Sequence, residues 1–213
     1  MSSAEDPLAK VLWIGGGSAG GKSTMAARLA ADHGLTVYRT DEELSAQVQR
    51  RLSSSEAPLL HRFLAMDMDE RWVNRSPREM LETFHWFRGE GFDLLIDDVR
   101  SRAADGLLVV EGFHLLPGLL APVLHDRRRA VWLLPTPEFR EQVVRRRVAA
   151  GPHFVDRTSD PGRALANLSE RDRLFTEQVR AEVRALGLMP MDIDGSRSID
   201  DVAADLARHF GLA

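Results

Sequence analysis

The sequence predicts an α/β domain: a parallel five-stranded sheet flanked by helices, with a small lid. Two observations carry that expectation. Short apolar runs suited to buried strands alternate with longer segments of helical period, and strands separated by helices imply parallel βαβ units. The first apolar run also ends in glycines, Gly15-Gly16-Gly17, with an amphipathic segment close behind. A chain of 213 residues is long enough to bury a real core and fits one domain over residues 1–213.

Val11-Leu12-Trp13-Ile14 reads as a buried strand. Residues 23–33 set Met25, Ala26, Leu29 and Ala30 at helical spacing, and Gly34 is a suitable stop. Residues 35–39 make the second strand, and 41–52 a helix broken by Ser53-Ser54-Ser55. No period stands out over residues 55–75. Pro77 opens a helix running to Arg88, ahead of Gly89 and Gly91. Phe92, Leu95, Ile96 and Val99 recur at i, i+3, i+4, i+7, which predicts an amphipathic helix over 92–103. Leu107-Leu108-Val109-Val110 is the clearest buried strand; 130–134 is the next, ended by Pro135. Pro137 starts a helix to Ala149. Residues 151–162 hold Pro, Gly, Ser and Asp and read as a loop. A long helix over 164–186, a strand over 188–193, and a terminal helix opened by Ser198, Asp200 and Asp201 complete the chain.

Composition narrows the function. Hydrophobic residues make up 44% and charged residues 28%, an ordinary globular balance. The formal net charge of −4 argues against a protein built to grip nucleic acid. There is no cysteine, which excludes disulfides, thiolate catalysis and iron–sulfur clusters. No apolar run approaches the roughly 18–20 residues that span a bilayer, and the polar, acidic start is unlike a signal peptide. No membrane association is expected, and the expected location is cytoplasmic. The seven histidines show no metal-ligand spacing.

Among 28 basic residues, only Lys10 and Lys22 are lysine. Lys22 falls in Gly16-Gly17-Ser18-Ala19-Gly20-Gly21-Lys22-Ser23-Thr24, which fits G-x-x-x-x-G-K-[ST] in full between a strand and a helix. Such glycines let consecutive N–H groups curl around a phosphate, and the helix turns its positive end to the same anion. Lys22 can reach the β- and γ-phosphates as a mobile point charge, and Ser23 offers a hydroxyl to Mg²⁺.

With this loop, the sequence resembles the P-loop small-molecule kinases: the nucleoside, nucleoside-monophosphate and gluconate kinase group. The likeness covers most of the chain, although only the loop is specific. The string Val109-Val110-Glu111-Gly112-Phe113-His114-Leu115-Leu116-Pro117 is similar to the strand end of uridine-kinase-like and 2-phosphoglycerate-kinase-like proteins. The resemblance implies a P-loop NTPase fold, ATP and Mg²⁺, an acceptor-capping region at about 42–90, and an arginine-bearing lid at about 147–165. Two departures stand out. Glu111 occupies the place of a Walker B aspartate, and there is no Asn-Lys-x-Asp string of a GTPase switch.

Individual residues follow. Asp41 sits at a strand's carboxyl end, where it could accept the proton of an attacking hydroxyl; the other reading is a helix cap at Thr40 or Asp41. Glu111 ends an apolar strand, where Mg²⁺ or its water shell is the natural partner; the other reading is a carboxylate satisfied by backbone N–H groups. Asp97 and Asp98 fall on a helix and read as a solvated face. Asp67-Met68-Asp69-Glu70-Arg71-Trp72 fits either a grip on a polar molecule or a surface turn. Three consecutive arginines, 145 to 147, cannot share one helix face; Arg147 at the helix end and Arg157 in the loop are the expected phosphate contacts, and Arg171 and Arg173 on the long helix could also reach the site.

Together these residues describe a kinase that moves the γ-phosphoryl of ATP to a small metabolite, nucleoside or antibiotic-like molecule, acting as a monomer or homodimer. The alternative is an NTP-binding regulator or assembly ATPase that works through a protein partner.

Overall fold

The computed structural model describes residues 6–212, apart from the side chains of residues 45 and 46; of the polar, acidic start, residues 1–5 lie outside it and Asp6 within it. Five strands form one all-parallel sheet in the order β2-β3-β1-β4-β5. They are β1 (Val11–Gly16), β2 (Thr36–Arg39), β3 (Leu108–Glu111), β4 (Ala130–Pro135) and β5 (Pro190–Ile193). The helices are α1 (Lys22–His33), α2 (Thr40–Arg51), α3 (Pro58–Ala65), α4 (Met68–Trp72), α5 (Pro77–Thr83), α6 (Phe92–Ala103), α7 (Pro117–Leu120), α8 (Pro137–Ala149), α9 (Pro161–Ala185) and α10 (Ile199–Phe210). Among the described residues, no helix is long and apolar enough to cross a membrane.

The period of two along each strand sorts side chains onto two faces. Leu12 and Ile14 of β1, Val109 of β3, and Val131 and Leu133 of β4 face one layer with Met25 and Leu29 of α1 and Leu206 and Phe210 of α10. Val11, Trp13, Val110, Trp132 and Leu134 face the other, with Leu95 and Val99 of α6 and Phe175 and Val179 of α9. Both faces are covered, which is why the central strands read as continuous apolar runs.

Three elements differ from expectation. The helix beginning at Pro77 stops at Thr83, and a 3₁₀ turn over His85–Arg88 follows. His85, Trp86 and Phe87 are all buried, and a straight helix cannot turn three consecutive side chains inward. Residues 55–75 hold α3 and α4, each too short to show a period. The long helix starts at Pro161 because the Asp160 carboxylate caps it by accepting from Arg163 N–H at 2.9 Å.

Candidate functional site

The glycine-rich loop before α1 is pressed into the fold on two sides. Gly17 N–H donates to Leu133 O of β4 at 3.1 Å. A side chain at Gly16 would overlap that same carbonyl, and one at Gly17 would overlap Thr176 of α9. Ala19 adopts φ 64°, the left-handed region that non-glycine residues rarely enter. Lys22 is buried and its ammonium donates to Gly17 O at 2.8 Å, spanning the loop from within. Burial presses its pKa down; the carboxylates of Asp41, Glu111 and Asp172 oppose that, and Arg147 adds to it.

Glu111 ends β3 beside Ile14 and Arg39 in register, and is 5% exposed. Burial raises its carboxyl above the usual range, while the neighbouring Ser23 hydroxyl and the Lys22 charge hold it down. The sheet thus brings Ser23 and Glu111 together from separate parts of the chain.

Asp41 lies in the first turn of α2, but Arg39 occupies the N-cap and no side chain caps the helix there. The capping reading of Thr40 and Asp41 therefore does not hold. Instead Asp41 Oδ1 lies 3.2 Å from His114 Nδ1, which is also 2.8 Å from Thr40 Oγ1. His114 is buried, packs edge-on against Trp86 and is stacked on Phe113. Burial lowers its pKa and Asp41 partly restores it. In the sequence this histidine is one of seven without metal-ligand spacing and a member of the 109–117 string; its place three residues after Glu111 is the available signal.

Two cavities flank the loop. One, of about 310 Å³, lies between the start of α1, α8 and the turn after β5, against Gly20, Thr24, Phe139 and Ile199. The other, of about 410 Å³, is walled by aromatic side chains and meets the loop at Ser18. Arg147 lines both. At the second cavity, Arg171 donates to Asp172 from Nε at 2.9 Å and from Nη2 at 2.5 Å, and Arg140 approaches the same carboxylate at 3.6 Å. Asp41 and Glu111 line neither cavity; both act on the Lys22 ammonium.

Among the solved structures similar to this chain are two that span nearly its whole length. The YorR protein of Bacillus subtilis, in complex with phosphorylated GDP, shares 14% identity over 95% of this chain and 96% of its own, with a TM-score of 0.44. An uncharacterised protein of Eubacterium ventriosum shares 11% identity over 95% of this chain and 98% of its own, with a TM-score of 0.45. Neither a protein-family model nor a curated protein sequence matches the chain.

Other expected residues are placed differently. Arg145 pairs with Glu141 at 2.6 Å and lines neither of the cavities that Arg147 lines. Arg157 is exposed, lies 3.5 Å from Met68 Sδ, and lines neither cavity. In the 67–72 string the charges serve the fold. Asp67 and Glu70 close a capping box, Asp69 accepts from Ser159 N–H at 2.7 Å, and Arg71 donates to Phe63 O and Leu64 O. Trp72 alone of the string lines the aromatic cavity. Asp98 is not simply solvated: it accepts from Tyr38 OH at 2.7 Å and from Gln47 at 3.0 Å. The loop over 151–162 is docked rather than loose, since Val155 is buried with Val73 and Ala164 in a small cluster of its own.

Proposed function

We propose that the protein is an ATP- and Mg²⁺-dependent kinase acting on a small molecule held in the aromatic cavity. The observation that carries this reading is a phosphate loop set between two cavities that share one arginine, Arg147. One substrate transferring a group to another needs such a two-sided arrangement, whereas a nucleotide-driven regulator does not.

In this reading the loop amides and Lys22 hold the β- and γ-phosphates, and the cavity beside Gly20 and Ile199 takes the base. The hydroxyl of Ser23 and the carboxylate of Glu111 are hard oxygen donors, which suits Mg²⁺. Among the described residues no cluster of three or more His, Asp or Glu could hold a metal alone. Ser23 and Glu111 would therefore share it with phosphate oxygens, where it neutralises charge on the nucleotide. Asp41 lines neither cavity, so in this reading it takes the proton of an acceptor hydroxyl that reaches past the aromatic walls, and Arg147 steadies the charge that shifts between donor and acceptor. Catalysis is positioning and electrostatics.

The test is ATP consumption by the full chain across nucleosides, nucleotides, sugars, sugar acids and hydroxylated aromatics. Strong stimulation by one class is expected. Lys22→Ala should abolish it, and Ser23→Ala should weaken Mg²⁺-dependent nucleotide binding with the fold intact. Unchanged transfer by the Lys22 variant would overturn the reading, and no stimulation by any compound would favour the regulator.

A further inference from the structure

We propose that the acceptor is an acidic aromatic compound: a flat, largely apolar ring system bearing a carboxylate, together with the hydroxyl that receives phosphate. The hydroxyl rests on the kinase reading; the ring and the acid follow from the cavity itself.

The ring follows from the walls. Trp72, Phe84, Phe87, Phe113, Phe154 and Phe175 line the cavity, brought together from widely separated stretches of the chain. Aromatic walls reward a flat ring through stacked and edge-on contact. A volume of about 410 Å³ suits one small ring system with its substituents.

The acid follows from the charge. Arg140, Arg147 and Arg171 line the cavity against a single carboxylate, Asp172. Arg140 and Arg171 are each 7% exposed. Arg171 lies over the rings of Trp72, Phe84 and Phe87 and spends Nε and Nη2 on Asp172, which leaves Nη1 without a hydrogen-bond partner, and Arg140 Nε has none either. Buried donors left unmatched on charged groups are costly. A carboxylate entering the cavity supplies two acceptors of the right charge, and a guanidinium fork matches its geometry.

The same lining argues against a nucleobase or a sugar. No Asn or Gln side chain lines the cavity. A base edge presents neighbouring donors and acceptors, and a sugar presents a hydroxyl at nearly every carbon. Ser18, His153 and Ser169 are the remaining polar side chains of the lining, too few to meet every such group, so against phenyl walls several of these groups would lose water without gaining a partner. In the transfer itself the acceptor's hydroxyl oxygen bonds to the γ-phosphorus as the bond to the β–γ bridging oxygen breaks. ADP keeps that electron pair, and the hydroxyl proton passes to Asp41 and on to solvent.

The test is calorimetric binding to the full chain, saturated with a non-hydrolysable ATP analogue and Mg²⁺. The probes are 4-hydroxyphenylacetate and 6-hydroxy-2-naphthoate, the methyl esters of both, uridine monophosphate and gluconate. The acids should bind at least about 10-fold tighter than their esters and tighter than the nucleotide or the sugar acid. Arg171→Gln should erase the preference for acid over ester. Phe154→Ala, at a residue 40% exposed and so safe for folding, should weaken acid and ester alike. Neither change should alter affinity for the ATP analogue. Failure of both acids to bind, equal binding of the esters, or tighter binding of uridine monophosphate or gluconate would overturn the proposal. Transfer from ATP to the bound acids is then measured separately. Tight acid binding with no transfer upholds the ring and the acid as the ligand class of this cavity and overturns the kinase reading instead.

Discussion

His114 Nδ1 lies 3.2 Å from Asp41 Oδ1 and 2.8 Å from Thr40 Oγ1, so a buried imidazole backs an exposed carboxylate beside the phosphate loop. The same carboxylate acts on the charge of Lys22, favouring the protonated amine. Asp41→Asn keeps the shape and removes the base, and turnover should fall by roughly 10²-fold or more with ATP affinity little changed. His114→Gln should lower turnover by a smaller factor, because it loosens the carboxylate without removing it. Steady-state kinetics on both variants checks the order. If Asp41→Asn keeps full turnover and shifts only the melting temperature, the carboxylate is structural.

Arg147 and Arg157 should separate. Arg147 lines both cavities, whereas Arg157 is placed against Met68. Arg147→Ala should cut kcat by at least about 10-fold while changing ATP affinity less, as expected of a contact that tightens in the transition state. Arg157→Ala should have the larger effect only if the 151–162 loop leaves its seat on Val73 during turnover. Hydrogen exchange with and without an ATP analogue reads that movement directly. Equal protection of the loop in both states, with an inactive Arg157 variant, would contradict this account.

Gly112 has φ 152°, and a side chain there would overlap the Thr40 hydroxyl. Gly112→Ala should therefore cost more than about 2 kcal/mol, combining strain with a displaced buried group. Because Thr40 contacts both His114 and Asp41, turnover should fall as well. Urea unfolding and kinetics on the same preparation test both halves. A variant as stable as the parent would show that the turn can relax.

Acid should weaken the fold through His85. Burial pushes this imidazole from 6.5 down to about 3, and the charges of His114 and Arg171 add to the effect. The folded value is the lower one, so the unfolded chain binds the proton more readily. Stability from this group is full above pH 6.5 and drains as pH falls towards 3. The slope is up to about 1.4 kcal/mol per pH unit for one proton. His85→Phe, among the rings of Phe63, Phe84 and Trp86, should flatten that slope. Urea midpoints between pH 7 and pH 4 measure it; an unchanged slope would assign the titration to another group.

The sheet was legible wherever burial on both faces wrote an unbroken apolar run, as at Leu107 to Val110, and α6 wherever one buried face wrote a clean helical period. The glycine spacing likewise announced the loop that holds Lys22. The aromatic cavity was not legible. Its walls come from α4, the turn after α5, the end of β3, the 151–162 loop and α9, and no spacing in the chain records that meeting. Arg171 and Asp172 are neighbours in sequence, yet their burial comes from α9 turning them towards those rings. Trp72 sat in plain view, hidden among charges that turn out to serve helix ends.

Lysine is scarce in this chain, and its two copies differ in access: Lys10 is exposed, while Lys22 is enclosed with its amine on Gly17 O. Acylating reagents specific for side-chain amines therefore meet one open target and one guarded by the loop. Lys10 becomes an internal standard for reagent dose, and the labelling ratio of the two peptides becomes a gauge of how far the loop opens. Mass spectrometry of that ratio follows loop occupancy in crude mixtures, with no dye, tag or knowledge of the acceptor.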